Sequence, residues 1–324
     1  MALQGGSPSL IDRAAREGTL AFPQSLTKVR GMEPRQIEQV RRFNRAVTQR
    51  VGALEESYLR RGRPLGEARL LFELGAEGAD LRVLRQRLGL DSGYLSRLLR
   101  SLEAQGLVQV RAQADDRRVR EARLTRKGRA ERAAYDGLSD TLAQSMLAPL
   151  DPARRERLVA AMTEVERLLR AAAVTLHREA PDHPEARWCL DQYFAELATR
   201  FEAGFDPGRS NPAPDVDLLP PAGVFVLARL DGRPAGCGAL KRLGGTLGEI
   251  KRMWTAPDAR GLGVARQVLH ALEAAAREFG LGTLRLETNR TLQEAQALYR
   301  GEGYREVARF NDEPYAHHWF EKRL

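Results

Sequence analysis

From Pro34 onward the apolar residues keep a helical rhythm. Ile37, Val40, Phe43, Val47, Val51, Leu54 and Tyr58 recur three or four positions apart, which places them on one stripe of an α-helix. RRGRPLG breaks that stripe. GEARLLFELG and LRVLRQRLGL predict two short helices separated by AEGAD, and Asp91 is positioned to cap a third, DSGYLSRLLRSLEAQG, which Gly106 ends. LVQVRA and VREARL alternate apolar and polar residues, the period of a strand, and QADDRR joins them. Helical patterning resumes over about 126–148 and 151–172, where Leu158, Met162, Val165 and Leu169 form a second stripe. Residues 1–34 hold no sustained period and read as an extension.

The texture then changes. AVTLHREAPDHPE, residues 173–185, has two prolines and few apolar positions, so a linker is expected there. A helix around 186–203 and a Pro/Asp-rich loop, DPGRSNPAPDVD, come next. GVFVLARL, AGCGALKRL and GEIKRMWTA read as an antiparallel strand run with a turn at DGRP. ARGLGVARQ opens a long Ala/Leu-rich helix; after it come strand TLRLETN, helix LQEAQALYRGEG, strand YREVARF and a last strand near YAHHWFEKR. Neither an internal repeat nor a low-complexity tract is visible.

Composition narrows the class. A chain of 324 residues with 43% hydrophobic and 29% charged residues is expected to be soluble and to form two domains. Cys189 and Cys237 are far apart and lack metal-type spacing, as free thiols in a reducing compartment would. MALQGGSPSLIDR has no apolar core of a secretory signal, and LLPPAGVFVLA is too short and proline-rich to span a bilayer, so a cytoplasmic, non-membrane protein is expected. The net charge of +9 is unevenly distributed. Residues 1–170 carry 32 Lys and Arg against 22 Asp and Glu, and the remainder 20 against 21. A general arginine bias would have enriched both halves. Confinement to the first points to a polyanionic partner for that half.

Three helices followed by a two-stranded ribbon predict a winged helix-turn-helix. In the third helix Leu95, Leu98, Leu99 and Leu102 face the core, leaving Ser92, Gly93, Ser96, Arg97 and Arg100 outside to meet base edges and phosphates. Arg117 and Arg118, beside Asp115 and Asp116 at the ribbon tip, are placed to reach phosphates or the minor groove. The plainer alternative is a solvated charged face. LGLDSGYLSRLLRSLEAQGLV followed by DDRRVREARLTRKGRA resembles the MarR family of transcriptional regulators over about 35–172. That resemblance implies a dimer built by the first and last helices, matching the two apolar stripes, and a pseudo-palindromic double-stranded DNA site.

ARGLGVARQ follows a strand and opens a helix, so bare backbone N–H groups and the helix dipole converge there on an anion, most simply a phosphate. The dinucleotide fingerprint and the P-loop are both excluded by spacing. Arg260, Gly263 and Ala265 fit R-x-x-G-x-A. With GEIKRMWTAP before them and LRLETN and ALYRGEGYREV after, residues 184–324 resemble the GNAT superfamily of N-acetyltransferases. The resemblance implies acetyl-coenzyme A as co-substrate and an amine acceptor. The pyrophosphate would lie on Arg260, Gly261, Leu262, Gly263, Val264 and Ala265, the glycines keeping side chains out of its way. Backbone at Met253, Trp254 and Thr255 would pair with the pantetheine arm, and Asn289 would add a cofactor contact.

Acetyl transfer requires a base for the amine, donors for the oxyanion and an acid for the leaving thiolate. The resemblance puts Glu249 in the base role, sharing a strand face with Lys251 and Met253. Glu287 on the next strand is its rival, and a solvent-facing Glu249 the plain alternative. Tyr299 matches the tyrosine that protonates the thiolate, or else is a packed aromatic; a phenol of pKa about 10 is protonated at neutral pH and so holds a proton to give. Trp188 and Tyr193 either line the acceptor site or pack. The five histidines have no metal-ligand spacing, so no metal is expected.

The expected architecture is multidomain. A mostly α winged helix-turn-helix domain at 35–172 precedes a linker at 173–185 and an α/β (α+β) acyltransferase domain at 186–324 with a mixed, mainly antiparallel sheet. The expected function is bifunctional, a DNA-binding regulator joined to an N-acetyltransferase. The alternatives are a regulator whose second domain only senses acetyl-coenzyme A, and an enzyme whose first domain only dimerises it.

Overall fold

The computed structural model describes residues 33–75, 77–112, 120–202 and 204–324. The described residues form two compact units, which part between Leu158 and Val159.

In the first unit, α1 spans Pro34–Arg50, α2 Leu65–Leu74, α3 Leu81–Leu88 and α4 Ser92–Ala104. Strands β1 (Ala79–Asp80), β2 (Val108–Ala112) and β3 (Arg120–Leu124) form a small sheet in the order β1-β3-β2. Helices α5 (Arg126–Leu147) and α6 (Pro152–Ala172) follow, and the division between units falls inside α6. Short polar side chains start these helices by taking otherwise orphaned amides. Asp80 accepts from Arg82 N at 2.6 Å, Asp91 from Tyr94 N at 2.9 Å and Thr125 from Gly128 N at 3.0 Å. The core is Leu-rich: Leu70, Leu84 and Leu102 are fully buried, with Tyr135 beside them.

The stripe that starts at Ile37 overshoots its helix. α1 stops at Arg50, Gly52 takes a left-handed φ of 66°, and Tyr58 sits in a separate 3₁₀ turn where it stacks on Tyr135 at 6.2 Å. Glycine in that conformation terminates helices at little steric cost. The stripe proper finds no cover within the chain's described residues: Ile37, Val40, Phe43 and Val47 are 40–58% exposed.

In the second unit, seven strands run in the order β4-β5-β6-β7-β8-β10-β9. They are β4 (Thr175–Glu179), β5 (Gly223–Leu230), β6 (Arg233–Gly244), β7 (Leu247–Thr255), β8 (Thr283–Thr288), β9 (Arg305–Val307) and β10 (His318–Arg323). All neighbours are antiparallel except β7 and β8. Helices α7 (Pro184–Arg200), α8 (Val264–Glu278) and α9 (Gln293–Gly301) pack on it. Val268, Leu269 and Leu272 of α8 are fully buried.

The stretch 173–185, expected as a linker, is corrected here. Residues 175–179 form the edge strand β4, paired with β5 from Thr175↔Arg229 to Glu179↔Phe225. Its pattern is mostly polar because an edge strand with one face in solvent buries little. Arg229 on β5 holds the junction by pairing with Glu179 at 3.0 Å and Glu185 at 2.6 Å.

Candidate active site

β7 and β8 pair in parallel only over Leu247–Glu249 and Thr283–Arg285. Beyond Glu249 they diverge, so the β7 edge from Ile250 to Thr255 has no strand partner on the β8 side. A cavity of about 430 Å³ opens along that edge and reaches the loop before α8. Buried strand amides and carbonyls without partners are costly, so such a slot suits a ligand that can pair as a strand would.

The loop supplies the polar end. Gly261 and Gly263 have φ of 77° and 75°, and Gly263 is the N-cap of α8. A Cβ at either position would meet nothing within 4 Å. The left-handed backbone favours glycine at both positions, and the space that a Cβ would take is open. The first amides of α8 have no intrahelical acceptor, and Val264 and Ala265 line the cavity. Thr255 Oγ1, also on the cavity, is buried without a hydrogen-bond partner among the described residues. Free amides, an unpaired strand edge and an orphaned hydroxyl together fit a long ligand with an anionic group at one end.

Met253, Trp254, Thr255, Arg260, Gly261, Gly263, Val264 and Ala265 all line this cavity. Leu262 does not: its side chain is buried in the core of the unit, leaving only its backbone for a ligand. Asn289 lies away from this cavity. It lines a neighbouring cavity, donates Nδ2 to Tyr315 O at 2.7 Å and accepts from Thr291 N at 3.0 Å, which holds the turn after β8. Arg260 stands at the mouth with Nη2 donating to Glu196 Oε2 at 2.6 Å, and Trp254 Nε1 donates to the same oxygen at 2.9 Å. Glu196 is thus a site residue that the sequence does not single out, because its partners are 58 and 64 positions away.

The neighbouring cavity, about 90 Å³, is lined by the aromatic residues Tyr193, Phe201, Phe205 and Tyr315 and also by Lys251 and Glu287. Phe205 and Tyr315 rings lie 4.8 Å apart. Tyr193, Met253 and Tyr299 line both cavities, so Tyr299 stands where the two meet. Burial raises the pKa of the Tyr299 phenol and pushes that of Tyr193 up to about 12, so both stay protonated at neutral pH. Trp188 packs edge-on against Trp254 at 5.7 Å and lines neither cavity.

The two candidate carboxylates are separated by position. Glu287 lines the small cavity, whereas Glu249 lines neither. Lys251 joins them: its Nζ is 2.6 Å from Glu287 Oε1 and 3.5 Å from Glu249 Oε1. Burial raises the Glu249 pKa, opposed by the Lys251 charge. Glu249 is therefore buried beside the lysine and lines neither cavity.

In the first unit, Ser92, Gly93, Ser96, Arg97 and Arg100 form the exposed face of α4, and Leu95, Leu98, Leu99 and Leu102 its buried face. Ser96 Oγ donates to Ser92 O at 2.7 Å, and Arg100 Nε to Ser96 O at 3.2 Å. The Arg97 guanidinium rests 5.4 Å from the Tyr94 ring and has no carboxylate partner among the described residues. Arg117 and Arg118 lie outside the described residues. Among the described residues no helix is long and apolar enough to cross a membrane, and no group of three His, Cys, Asp or Glu is arranged to hold a metal.

The profile of the Acetyltransferase (GNAT) family matches residues 165–304, and that of the MarR family residues 61–119. An IAA acetyltransferase of Azospirillum brasilense is 36% identical over 133 residues, which cover 40% of this chain and 84% of that protein. Among solved structures, an acetyltransferase of the GNAT family from Staphylococcus aureus is 19% identical with a TM-score of 0.41, covering 47% of this chain and 99% of that one. A probable transcriptional regulator from Pseudomonas aeruginosa is 24% identical with a TM-score of 0.35, covering 40% and 98%. The chain belongs to the GNAT acetyltransferase family and carries, ahead of that domain, a MarR-family winged-helix region.

Proposed function

We propose that the second domain transfers an acetyl group from acetyl-coenzyme A to a small amine, and that the first binds double-stranded DNA as part of a homodimer. The observation that carries the enzymatic reading is the slot between β7 and β8, which ends on the free amides of α8. The pantetheine arm would lie along Met253–Thr255 and the pyrophosphate on Gly261–Ala265. Coenzyme A supplies the activated thioester; the chain's own residues handle protons and position. Glu287 takes the amine proton, directly or through one water: it lines the small cavity, where the other carboxylate, Glu313, already accepts from Ser210 Oγ, Asn211 N and Tyr315 N. Lys251 and Glu249 hold Glu287 in place. Tyr299, on the wall common to both cavities, donates a proton to the departing thiolate. The aromatic wall favours an acceptor with a ring or short apolar body beside its amine.

The exposed apolar stripe of α1 supports a second copy as its cover. Such a dimer would present two α4 faces to a pseudo-palindromic DNA site. An acceptor screen that follows thiol release with the full-length chain tests the first half of the proposal. No acetyl-coenzyme A-dependent thiol release with any aromatic or aliphatic amine, from a chain that binds coenzyme A, would leave a sensor rather than an enzyme.

A further inference from the structure

The loop before α8 is braced on a side that the cavity does not use. Arg167, near the C-terminal end of α6, donates Nη1 to the carbonyl of Gly261 at 3.0 Å. Its other donors are already fixed: Nε and Nη2 reach the two carboxylate oxygens of Glu164 at 2.8 and 2.7 Å. One turn of helix further on, Arg170 Nη2 lies 3.5 Å from the carbonyl of Asp258. Gln267 of α8 answers by donating Nε2 to Ala171 O at 3.3 Å. Neither Arg167 nor Arg170 lines the cavity.

Gly261 sits at φ 77°, where no side chain restrains the peptide that follows it. A glycine in that region can turn its carbonyl through a wide range. If the carbonyl turned toward the cavity, its negative end would face the space that the free amides of α8 make favourable for an anion. Arg167 holds the carbonyl on the far side, and Glu164 holds Arg167. We propose that Arg167 is a positioning residue for the phosphate-bearing end of the co-substrate. It holds the Gly261 carbonyl away from the pyrophosphate, leaving the free amides at the start of α8 to meet it. This rests on the coenzyme A reading above, and names a determinant that the R-x-x-G-x-A pattern does not include.

The effect must be confined to ligands that carry the pyrophosphate. Coenzyme A reaches the loop, whereas pantetheine occupies only the strand slot. The test measures both on the full-length chain, coenzyme A by calorimetry and pantetheine by saturation-transfer NMR. Arg167→Ala is expected to weaken coenzyme A by about tenfold, the scale of one hydrogen bond from a charged donor, and to leave pantetheine unchanged. Glu164→Gln, which frees the guanidinium without removing it, is expected to move coenzyme A in the same direction by less. Unaltered coenzyme A affinity in Arg167→Ala overturns the proposal. So does an equal loss for both ligands, since that would mean general disturbance of the site. A wild-type chain that binds no coenzyme A would instead sink the acetyltransferase reading itself.

Discussion

Lys251 and Glu287 form an ion pair of 2.6 Å in which neither side chain is more than a tenth exposed. Glu249 approaches the same ammonium from behind at 3.5 Å. One cation thus serves two carboxylates, and only one of these reaches the small cavity. Glu287→Gln should therefore lower kcat by about 10²–10⁴-fold, the range for loss of a positioned base. Glu249→Gln should cost much less, because it alters only the charge behind the lysine. Steady-state rates of both variants, at saturating acetyl-coenzyme A, decide the assignment; a larger loss for Glu249→Gln would return the base role to that residue.

The raised pKa of Glu249 also affects stability. Desolvation raises it in the folded chain above its unfolded value of about 4.3. Between those two values the folded state holds more proton than the unfolded state, so this group's contribution falls as pH rises. It is fully present below the unfolded pKa and lost as pH passes the folded one. Glu249→Gln removes that dependence. The difference in urea midpoint between wild type and variant, measured from pH 4 to 8, should shift in the variant's favour as pH increases. A difference that stays flat would mean Glu249 titrates normally.

Tyr299 is common to both cavities, and burial keeps its phenol protonated at neutral pH, so it carries a proton where the two cavities meet. Its ring also packs 5.9 Å from those of Tyr304 and Phe320. Tyr299→Phe keeps that packing and removes only the hydroxyl. We expect kcat to fall with the affinity for coenzyme A unchanged, the signature of an interaction made in the transition state. Calorimetry beside kinetics separates the two; a matching loss of affinity would make the hydroxyl a binding group.

How far these residues could be read in the chain itself varies with the range of the interaction. The α4 faces follow from spacing alone, because helix period fixes which leucines are buried. The α8 loop was legible because R-x-x-G-x-A needs its glycines for local backbone reasons. β4 was not legible: an edge strand with mostly polar residues lacks the alternation that marks a half-buried one. Glu196 and Arg167 were not legible either, since their partners are 64 and 94 residues away. The choice between Glu249 and Glu287 depended on where β7 and β8 part, a property of pairing that neither strand's sequence states.

Gly128 offers a stability test in the first unit. It is the third residue of α5, where alanine would ordinarily favour the helix by about 1 kcal/mol. Here an added Cβ would lie 2.0 Å from the carbonyl oxygen of Leu107. Backbone cannot yield as a side-chain tip can, so Gly128→Ala should destabilise this unit by roughly 1–3 kcal/mol, the cost of overpacking. Denaturant unfolding followed by α-helical signal checks it, and a variant as stable as wild type would mean that α5 shifts freely away from Leu107.

The last expectation concerns DNA. Residues 1–170 carry 32 Lys and Arg against 22 Asp and Glu, and the exposed face of α4 holds two of those arginines. Their surroundings differ. Arg97 rests on Tyr94 without an acid, so its guanidinium can turn to a base edge. Arg100 is tied back to the Ser96 carbonyl at 3.2 Å, which suits a contact to backbone phosphate. Arg97→Ala should cost about 1–3 kcal/mol on the preferred site and little on unrelated sequence. Arg100→Ala should weaken both alike and reduce the slope of log K against log salt by about 0.9, one phosphate contact. Competition binding on a selected site and a scrambled duplex, across a salt series, resolves the two patterns. Equal losses on both duplexes for Arg97→Ala would assign that residue to phosphate and move base reading elsewhere on the α4 face.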